Sequence, residues 1–433
     1  MKVIIHKKIY DLSDFKHPGG SEILELCKNE PDCSALFESY HAFCDMDKIK
    51  NIMKKYEIDE SKDKSLFIFE DEGFYNTCKN RVKSLFTNRN KSKSNLSWLK
   101  YVGLSSFTFI FSQLNMIYGN EPTGILNVGF SLISGISLMS IGYNILHDGS
   151  HYSISKSPII NNTASKIVQS LLLQNHTMWS YHHCIRHHQY TGLIGFDPDL
   201  HNNPFFRKSS KLKIGSMEFS KSFIGFKLLM FNIIFPGIIL GQSISYHFIW
   251  RRKKRMWKLK LPDFFGGISD NIQDLLSIIF IVFELYYVGF FYFYLHIIGC
   301  NAAYFLGSAP DHDMYVTHLE IEKSTLNNII VKEDKEDKED KNDSNKIMDW
   351  GEMQVRHAGN FCNSYPMIAN IFGGINYQIE HHLFPTLSSH KLKEISPIVK
   401  ECCKEFNIPY NHIDNPLEVW SQLCKVYTNV HIN

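Results

Sequence analysis

The chain has 433 residues, which is long enough to form more than one folding unit. Its 46 basic and 44 acidic residues give a net charge of +2, so no basic surface suited to a nucleic acid is expected. Aromatic residues make up 14% of the chain, as is typical of proteins that face lipid. The ten cysteines form no CxxC pair, which argues against a disulfide framework or a zinc ribbon and favours a reducing, cytosol-facing environment.

Residues 1–57 predict a small soluble α+β domain. Alternating apolar residues at Val3–Ile5 and Ile9–Tyr10 predict short strands, and later apolar positions at helical spacing predict short helices. The apolar run at the N-terminus is too short for a signal peptide, so internal segments are expected to enter the membrane.

A His-Pro-Gly-Gly motif at residues 17–20 is followed by a second histidine, His41. Two imidazoles from separate loops can approach one haem iron from opposite faces, and the proline and paired glycines allow a sharp turn beside the macrocycle. Two axial histidines fill both open positions of the iron, which favours electron transfer over oxygen binding. The region is also acidic, which predicts a docking surface for a basic reductase. The acidic residues are Glu22, Glu25, Glu30, Asp32, Glu38, Asp45 and Asp47.

Residues 58–97 indicate a linker that contains an amphipathic segment at Phe74–Phe86. Two apolar stretches follow, Trp98–Tyr118 and Gly124–Leu146, each close to the ~20 residues that cross a bilayer. The short loop Gly119–Thr123 predicts a helical hairpin. Basic residues before the first stretch place the N-terminus on the cytosolic side, and the hairpin returns the chain to that side.

A second apolar region is compatible with two topologies. Leu228–Ile249 is apolar enough to span a bilayer, and Leu275–Gly307 is a longer run interrupted by Glu284 and His296. If the first segment crosses, the basic cluster Arg251–Arg255 lies on the far side; if it lies in the interface, the later run must fold back on itself. Both topologies give an even number of crossings, and we expect four spans in total.

The segment Val331–Asn345 consists mainly of charged residues of both signs. Such low-complexity composition predicts a disordered insertion without a catalytic role.

Three histidine clusters lie beyond the linker. They are His147 and His151 at the end of the second apolar stretch, then His183, His187 and His188, and finally His381 and His382, preceded by Gln378. Residues four apart share one face of a helix, so each cluster can direct imidazoles at a metal ion. Neutral imidazole binds iron or zinc well, and seven histidines exceed the three or four ligands of a mononuclear site. The pattern therefore indicates two metals, and no HExxH sequence supplies the base of a zinc hydrolase.

The N-terminal segment resembles the cytochrome b5 domains that are fused to desaturases. The remainder resembles membrane fatty acid desaturases of the front-end group, in which the third histidine cluster begins with glutamine, as it does at Gln378. Further matching motifs are Asp197-Pro198-Asp199, Asp349-Trp350, Gln354-Val355 and Gly373-Gly374-Ile375-Asn376-Tyr377.

This resemblance implies a fold and a set of ligands. The fold is a small α+β cytochrome b5-like domain (1–57), a linker (58–97) and an all-α polytopic membrane domain (98–433) of about four transmembrane helices, with a cytosolic helical cap that carries the histidines. His17 and His41 are implied as axial ligands of haem b, and Gln378 as a residue that tunes one iron. The implied ligands of two non-haem irons are His147, His151, His183, His187, His188, His312, His381 and His382. We expect Asp148, Asp311 and Glu380 to orient these imidazoles.

The resemblance also implies an activity. The protein would insert a cis double bond between an existing double bond and the carboxyl end of a long acyl chain, in a fatty acyl lipid or acyl-CoA. It would use O2 and electrons from an NADH-dependent cytochrome b5 reductase, in the endoplasmic reticulum membrane, with the haem domain and histidines facing the cytosol. Three alternatives remain open: a desaturase of sphingolipid long-chain bases, a hydroxylase with the same ligands, and a membrane electron carrier with inactive histidine clusters.

Overall fold

The computed structural model describes residues 1–28, 30–61, 65–86, 96–118, 124–201, 208–212, 224–235, 237–256, 259–261, 266–324 and 348–432. The predicted loop Gly119–Thr123 and the charged insertion Val331–Asn345 lie outside these residues, as do the basic residues at 87–95 that entered the orientation argument.

The N-terminal domain is built on a three-stranded antiparallel sheet in the order β1-β2-β3. The strands are Lys2–Ile5 (β1), Lys8–Asp11 (β2) and Glu57–Glu60 (β3), and the helices are Ser21–Cys27 (α1), Ser34–Tyr40 (α2) and Met46–Met53 (α3). Val3, Ile5, Tyr10 and Phe37 form its core. The predicted α+β domain is confirmed, and its third strand continues to Glu60, past the expected boundary at residue 57.

The rest of the chain is mostly helical, with short strands. The helices are Phe74–Leu85 (α4), Leu96–Tyr118 (α5), Ile125–Ser150 (α6), Pro158–Leu171 (α7), His176–Trp179 continued by Ser180–His187 and His188–Tyr190 (α8), Ile224–Ile234 (α9), Gly237–Ile244 (α10), Ile268–Tyr287 (α11), Phe290–Asp313 (α12), Tyr315–Lys323 (α13), Trp350–His357 (α14), Pro366–Ile371 (α15), Gln378–Leu383 (α16), Leu392–Glu405 (α17) and Pro416–Ile432 (α18). The strands are Phe67–Ile68 (β4), Arg255–Met256 (β5), Leu259–Lys260 (β6), Met348–Asp349 (β7), Asn360–Phe361 (β8) and His412–Ile413 (β9).

The linker is an integral part of the cap. The predicted amphipathic segment is confirmed as α4, which buries Phe74, Tyr75 and Val82 against α14 and α17. Just before it, β4 pairs in parallel with β7, so the chain on either side of the membrane helices is joined by backbone hydrogen bonds. The linker therefore fixes the N-terminal domain near the histidine clusters.

The helices α6 and α12 form the centre of the apolar bundle. They approach closely at two glycines, since a methyl group at Gly135 would overlap the backbone of His296, and one at Gly299 would overlap that of Leu132. Such small residues are characteristic of helix contacts in membranes, where backbones must come close. On the outside, Leu104, Phe107, Val282 and Phe291 are each at least 60% exposed, and so form part of an apolar belt.

The number of spans is lower than expected when helices are judged by length and composition. Among the described residues, α6 and α12 are long and apolar enough to cross a membrane. The expected four spans are not reached on this criterion.

The second apolar region resolves the choice between the two topologies. The segment Leu228–Ile249 is not one helix, because α9 ends at Ile234 and α10 begins at Gly237. The run Leu275–Gly307 breaks between α11 and α12 at Gly289, whose φ of +88° suits glycine. The later run thus folds back on itself, as the interfacial alternative requires.

Candidate metal and haem sites

Two π-helical segments carry histidines into the cap. The helix α6 widens at Gly142–His147, and α8 widens at Ser180–His187. A π-helix joins residue i to i+5, so residues five apart come to lie on one side. The Nε2 atoms of His183 and His188 are accordingly 3.3 Å apart. The sequence predicted α-helical spacing here, and the wider turn is a feature that spacing alone does not reveal.

The first metal-binding cluster consists of His147, His151, His183 and His381. One ring nitrogen from each lies within 4.8 Å of the others, and all four side chains are buried. They come from α6, α8 and α16. Neither ring nitrogen of His147 has a hydrogen-bond partner among the described residues. Buried polar atoms are rarely left unpaired, so a bound cation fits this position.

The second metal-binding cluster consists of His187, His312 and His382, whose ligand atoms also lie within 4.8 Å of one another. The Nε2 atoms of His187 and His312 are 3.2 Å apart. The Gln378 side-chain nitrogen lies 3.1 Å from Nε2 of His312 and 3.0 Å from Nε2 of His382. Gln378 is therefore a member of this cluster, as its place in the third histidine motif suggested.

His188 lies between the two clusters. Its Nε2 atom is 3.3 Å from that of His183 and 3.1 Å from that of His381, in the first cluster. Its ring stacks on that of His382, in the second, at a centroid distance of 4.2 Å. The structure thus brings together every histidine that the sequence nominated as a metal ligand.

Burial keeps most of these imidazoles neutral. It lowers the pKa of His151, His183, His188 and His381 well below the ordinary value, and the neighbouring imidazoles add to the effect. For His187, burial has the same sign, but Asp197 and Asp199 outweigh it and raise the pKa. Neutral imidazole is the form that binds metal. The donor set therefore fits two divalent ions.

Each cluster is oriented by hydrogen bonds on its outer side. The outward Nδ1 atom of His187 lies 3.1 Å from an Asp197 oxygen, and that of His382 lies 2.8 Å from the Gln354 amide oxygen. Nδ1 of His312 lies 2.8 Å from a backbone oxygen. Such partners fix the ring and leave Nε2 facing the metal. The sequence included Asp197 and Gln354 only as parts of motifs, without these roles.

The residues expected to orient the imidazoles do so only in part. Asp148 lies 3.6 Å from Nδ1 of His147 and also accepts a hydrogen bond from Ser389. The expectation for Glu380 is wrong, because its two oxygens accept hydrogen bonds from Asn360 and Tyr410. Oδ1 of Asp311 has no hydrogen-bond partner within the described part of the chain.

The two histidines of the N-terminal domain face each other. The ring centroids of His17 and His41 are 6.0 Å apart, which suits two imidazoles on opposite sides of one iron. Nδ1 of His41 lies 2.8 Å from the Phe37 carbonyl oxygen, which directs Nε2 inward. A side chain at Gly19 would collide with the His17 ring, which explains the glycine. These residues fit a haem.

The N-terminal domain docks directly on the second histidine motif. Glu30 forms a buried ion pair with Arg186 at 3.1 Å, and the Gln189 side chain donates to the backbone of Asp32 at 2.7 Å. Glu38 pairs with Lys79 at 2.6 Å. Glu30 and Glu38 were expected to face a reductase, and that expectation is wrong, because the chain's own cations bury them.

A cavity of about 570 Å³ leads to the metal-binding clusters. His147, His183, His187, His312 and Gln378 lie at its polar end. Its walls are largely apolar and include Met139, Leu172, Phe231, Ile239, Leu240 and Phe305. The cavity thus offers an apolar ligand direct access to both clusters.

The fold and sites define a membrane-associated metalloprotein with a docked haem domain. Residues 123–414 match the family described as fatty acid desaturase, and residues 1–61 match the cytochrome b5-like haem/steroid binding domain. The chain belongs to the fatty acid desaturase family.

Several curated relatives are similar along most of their length. An acyl-lipid (8-3)-desaturase of Mortierella alpina is 27% identical over 94% of this chain and 88% of its own. The acyl-lipid (8-3)-desaturase B of Dictyostelium discoideum is 25% identical over 95% of this chain and 86% of its own. An sn-1 linoleoyl-lipid 6-desaturase of Arthrospira platensis is 24% identical over 73% and 78%, respectively.

Proposed function

We propose that this protein is an oxygen-dependent front-end desaturase of long acyl chains, with an acyl lipid as its substrate. The observation that carries the proposal is the apolar cavity that ends at two buried histidine clusters beside a docked haem domain. The relatives named as acyl-lipid desaturases support the same substrate class.

The metal ligands follow from the two clusters. His147, His151, His183 and His381 would hold one non-haem iron, His187, His312 and His382 the other, and His188 lies where it can complete either set. Gln378 would tune the second iron through its amide. The iron pair, when bound, supplies the activation of O2 and the removal of hydrogen from two neighbouring methylenes. His17 and His41 would hold haem b, which supplies electrons one at a time.

The chain's own residues provide position and dryness. The cavity walls would hold the acyl chain extended and exclude water from the clusters. Asp197, Gln354 and the His357 carbonyl would hold three imidazoles in their metal-binding orientation. For each double bond, two hydrogens leave the acyl chain and two electrons and two protons come from the donor side, so that one O2 becomes two waters.

The cellular setting is part of the proposal. We expect α5, α6, α11 and α12 to span the endoplasmic reticulum membrane, with the haem domain (1–57), the linker (58–97) and the histidines of the membrane domain (98–433) meeting on the cytosolic face. An NADH-dependent cytochrome b5 reductase would reduce the haem. Asp45 and Asp47 remain exposed and could receive it, whereas Glu30 and Glu38 could not.

Expression in a host that lacks polyunsaturated lipids tests the function. Cells are fed a series of unsaturated fatty acids, and their acyl chains and long-chain bases are profiled by mass spectrometry. We expect a new double bond on the carboxyl side of an existing one. New unsaturation confined to long-chain bases would favour the sphingolipid alternative, and a hydroxylated product would favour a hydroxylase. Unchanged profiles with all precursors would leave the electron-carrier alternative.

A further inference from the structure

The haem domain touches the first metal-binding cluster through one side chain. The Tyr40 hydroxyl lies 3.0 Å from Nδ1 of His151. The two residues are 111 positions apart, and they belong to the N-terminal domain and to the end of α6. His151 is one of the four histidines of the first cluster. A single hydrogen bond therefore links the two domains at the metal site.

Tyr40 is also the neighbour of a haem ligand. It ends α2 and is bonded through the backbone to His41, whose ring faces that of His17. From His41, the connection to His151 consists of covalent bonds followed by one hydrogen bond. In the part of the chain that the structure describes, this is the shortest bonded connection that we find between the two sites.

The contact lies in a tightly held interface. Tyr40 packs against an apolar cluster in which Leu26 and Leu36 of the haem domain meet Met178, Tyr181 and Ile185 of α8. The buried Glu30–Arg186 ion pair lies in the same interface. Breaking a buried ion pair is strongly unfavourable, so the docked arrangement is a stable one.

The chemistry of the hydrogen bond suits a metal ligand. When His151 binds metal through Nε2, its Nδ1–H donates to the Tyr40 oxygen, which holds the ring in place. The Tyr40 hydroxyl also contacts the Cys184 thiol, which gives it a partner for its own proton. Because the phenol is buried, its pKa is raised well above the ordinary value, and it stays protonated.

We propose that Tyr40 carries electrons from the haem to the non-haem irons through its hydrogen bond with His151. The proposal rests on the ligands assigned above. One electron passes at a time: the ferrous haem becomes ferric, one ferric non-haem iron becomes ferrous, and no bond forms or breaks. The reductase restores the ferrous haem. Tyr40 is never oxidised to a stable product and serves only as the connecting path.

The test compares Tyr40→Phe with wild type in the full-length protein loaded with haem and oxidised iron. Under anaerobic conditions a flash-reduced flavin reduces the haem, and the absorbance of the haem then reports its reoxidation by the metal centre. The variant keeps the ring but loses the hydroxyl. We expect reoxidation to slow by about tenfold, the lower end of the effects seen when an outer partner of a metal ligand is lost. Iron content and the haem spectrum should be unchanged.

Two controls separate the possible results. Tyr56→Phe alters a tyrosine that packs on Phe15 inside the haem domain, and it should reoxidise at the wild-type rate. His381→Ala should lose iron and show the background rate. Wild-type reoxidation in Tyr40→Phe would overturn the proposal, as would slow reoxidation accompanied by lost iron, because Tyr40 would then only hold His151. If wild type is no faster than His381→Ala, the ligand assignments themselves fail.

Discussion

The haem site and the paired metal-binding clusters use the same side chain in opposite ways. His17 and His41 come from one small domain, are only partly buried, and have backbone groups next to their Nδ1 atoms. The metal-binding histidines come from α6, α8, α12 and α16, nearly all are buried, and several are oriented by side chains. The haem site is therefore a local structure, whereas the metal site exists only when the whole cap is folded. Damage to one should leave the other intact.

The largest effect is expected from a ligand of the metal site. His381→Ala removes an imidazole that lies 3.1 Å from His188, so we expect iron to be lost and product to fall to background. The measurements are non-haem iron by metal analysis and product by mass spectrometry. The haem spectrum should not change.

His412→Ala is the matched control, because this histidine of the same cap lies nearest Asp414 and belongs to neither metal-binding cluster. Normal product from His381→Ala, or lost product from His412→Ala, would contradict the assignment.

A smaller effect is expected at the haem site. His17→Ala should abolish the haem absorbance while leaving the non-haem iron in place, because the two sites are assembled independently. Activity should fall by about a hundredfold rather than to zero, since a free donor can still deliver electrons without the advantage of tethering. Haem spectra, iron content and product formation are measured on one preparation. Retained haem absorbance would show that His17 is not a ligand.

The smallest effect concerns pH, and it differs between the two regions. The buried cap histidines have lowered pKa values, so in metal-free protein the unfolded state binds more protons as the pH falls below about 6.5, and stability decreases. Glu38 is different: burial raises its pKa, but His6 and Lys79 outweigh this and lower it to about 2.

The stability that Glu38 contributes, up to about 3 kcal/mol, is therefore complete above its unfolded pKa near 4.5 and is lost as the pH falls towards 2. Thermal unfolding of metal-free protein at a series of pH values tests this order. The Glu38→Gln variant should lose only the transition at lower pH. A wild-type protein whose stability is constant between pH 7 and 5 would contradict the account of the histidines.

The sequence predicts the sites well because both are marked by residue types that have few other uses in such density. It also predicts α5 and α6 closely, since long apolar stretches have few alternatives. It misjudges Leu228–Ile249, where hydropathy suggests one helix but the Pro236-Gly237 pair in the sequence signals the break between α9 and α10.

Other features could not be predicted from one sequence. The π-helical segments change which histidines share a face, and no residue pattern announced them. The contact of Tyr40 with His151 depends on how two domains dock, and local spacing carries no information about residues so far apart. The burial of Glu30 and Glu38 has the same origin, since an acidic surface looks alike whether its partner is another protein or the same chain.

The count of metal ions in purified full-length protein tests the central claim most directly. Non-haem iron is determined by metal analysis and haem by its pyridine complex. The two clusters and the single pair of facing imidazoles predict two non-haem irons for each haem. One non-haem iron or none for each haem, in protein that is folded and active, would contradict the paired site.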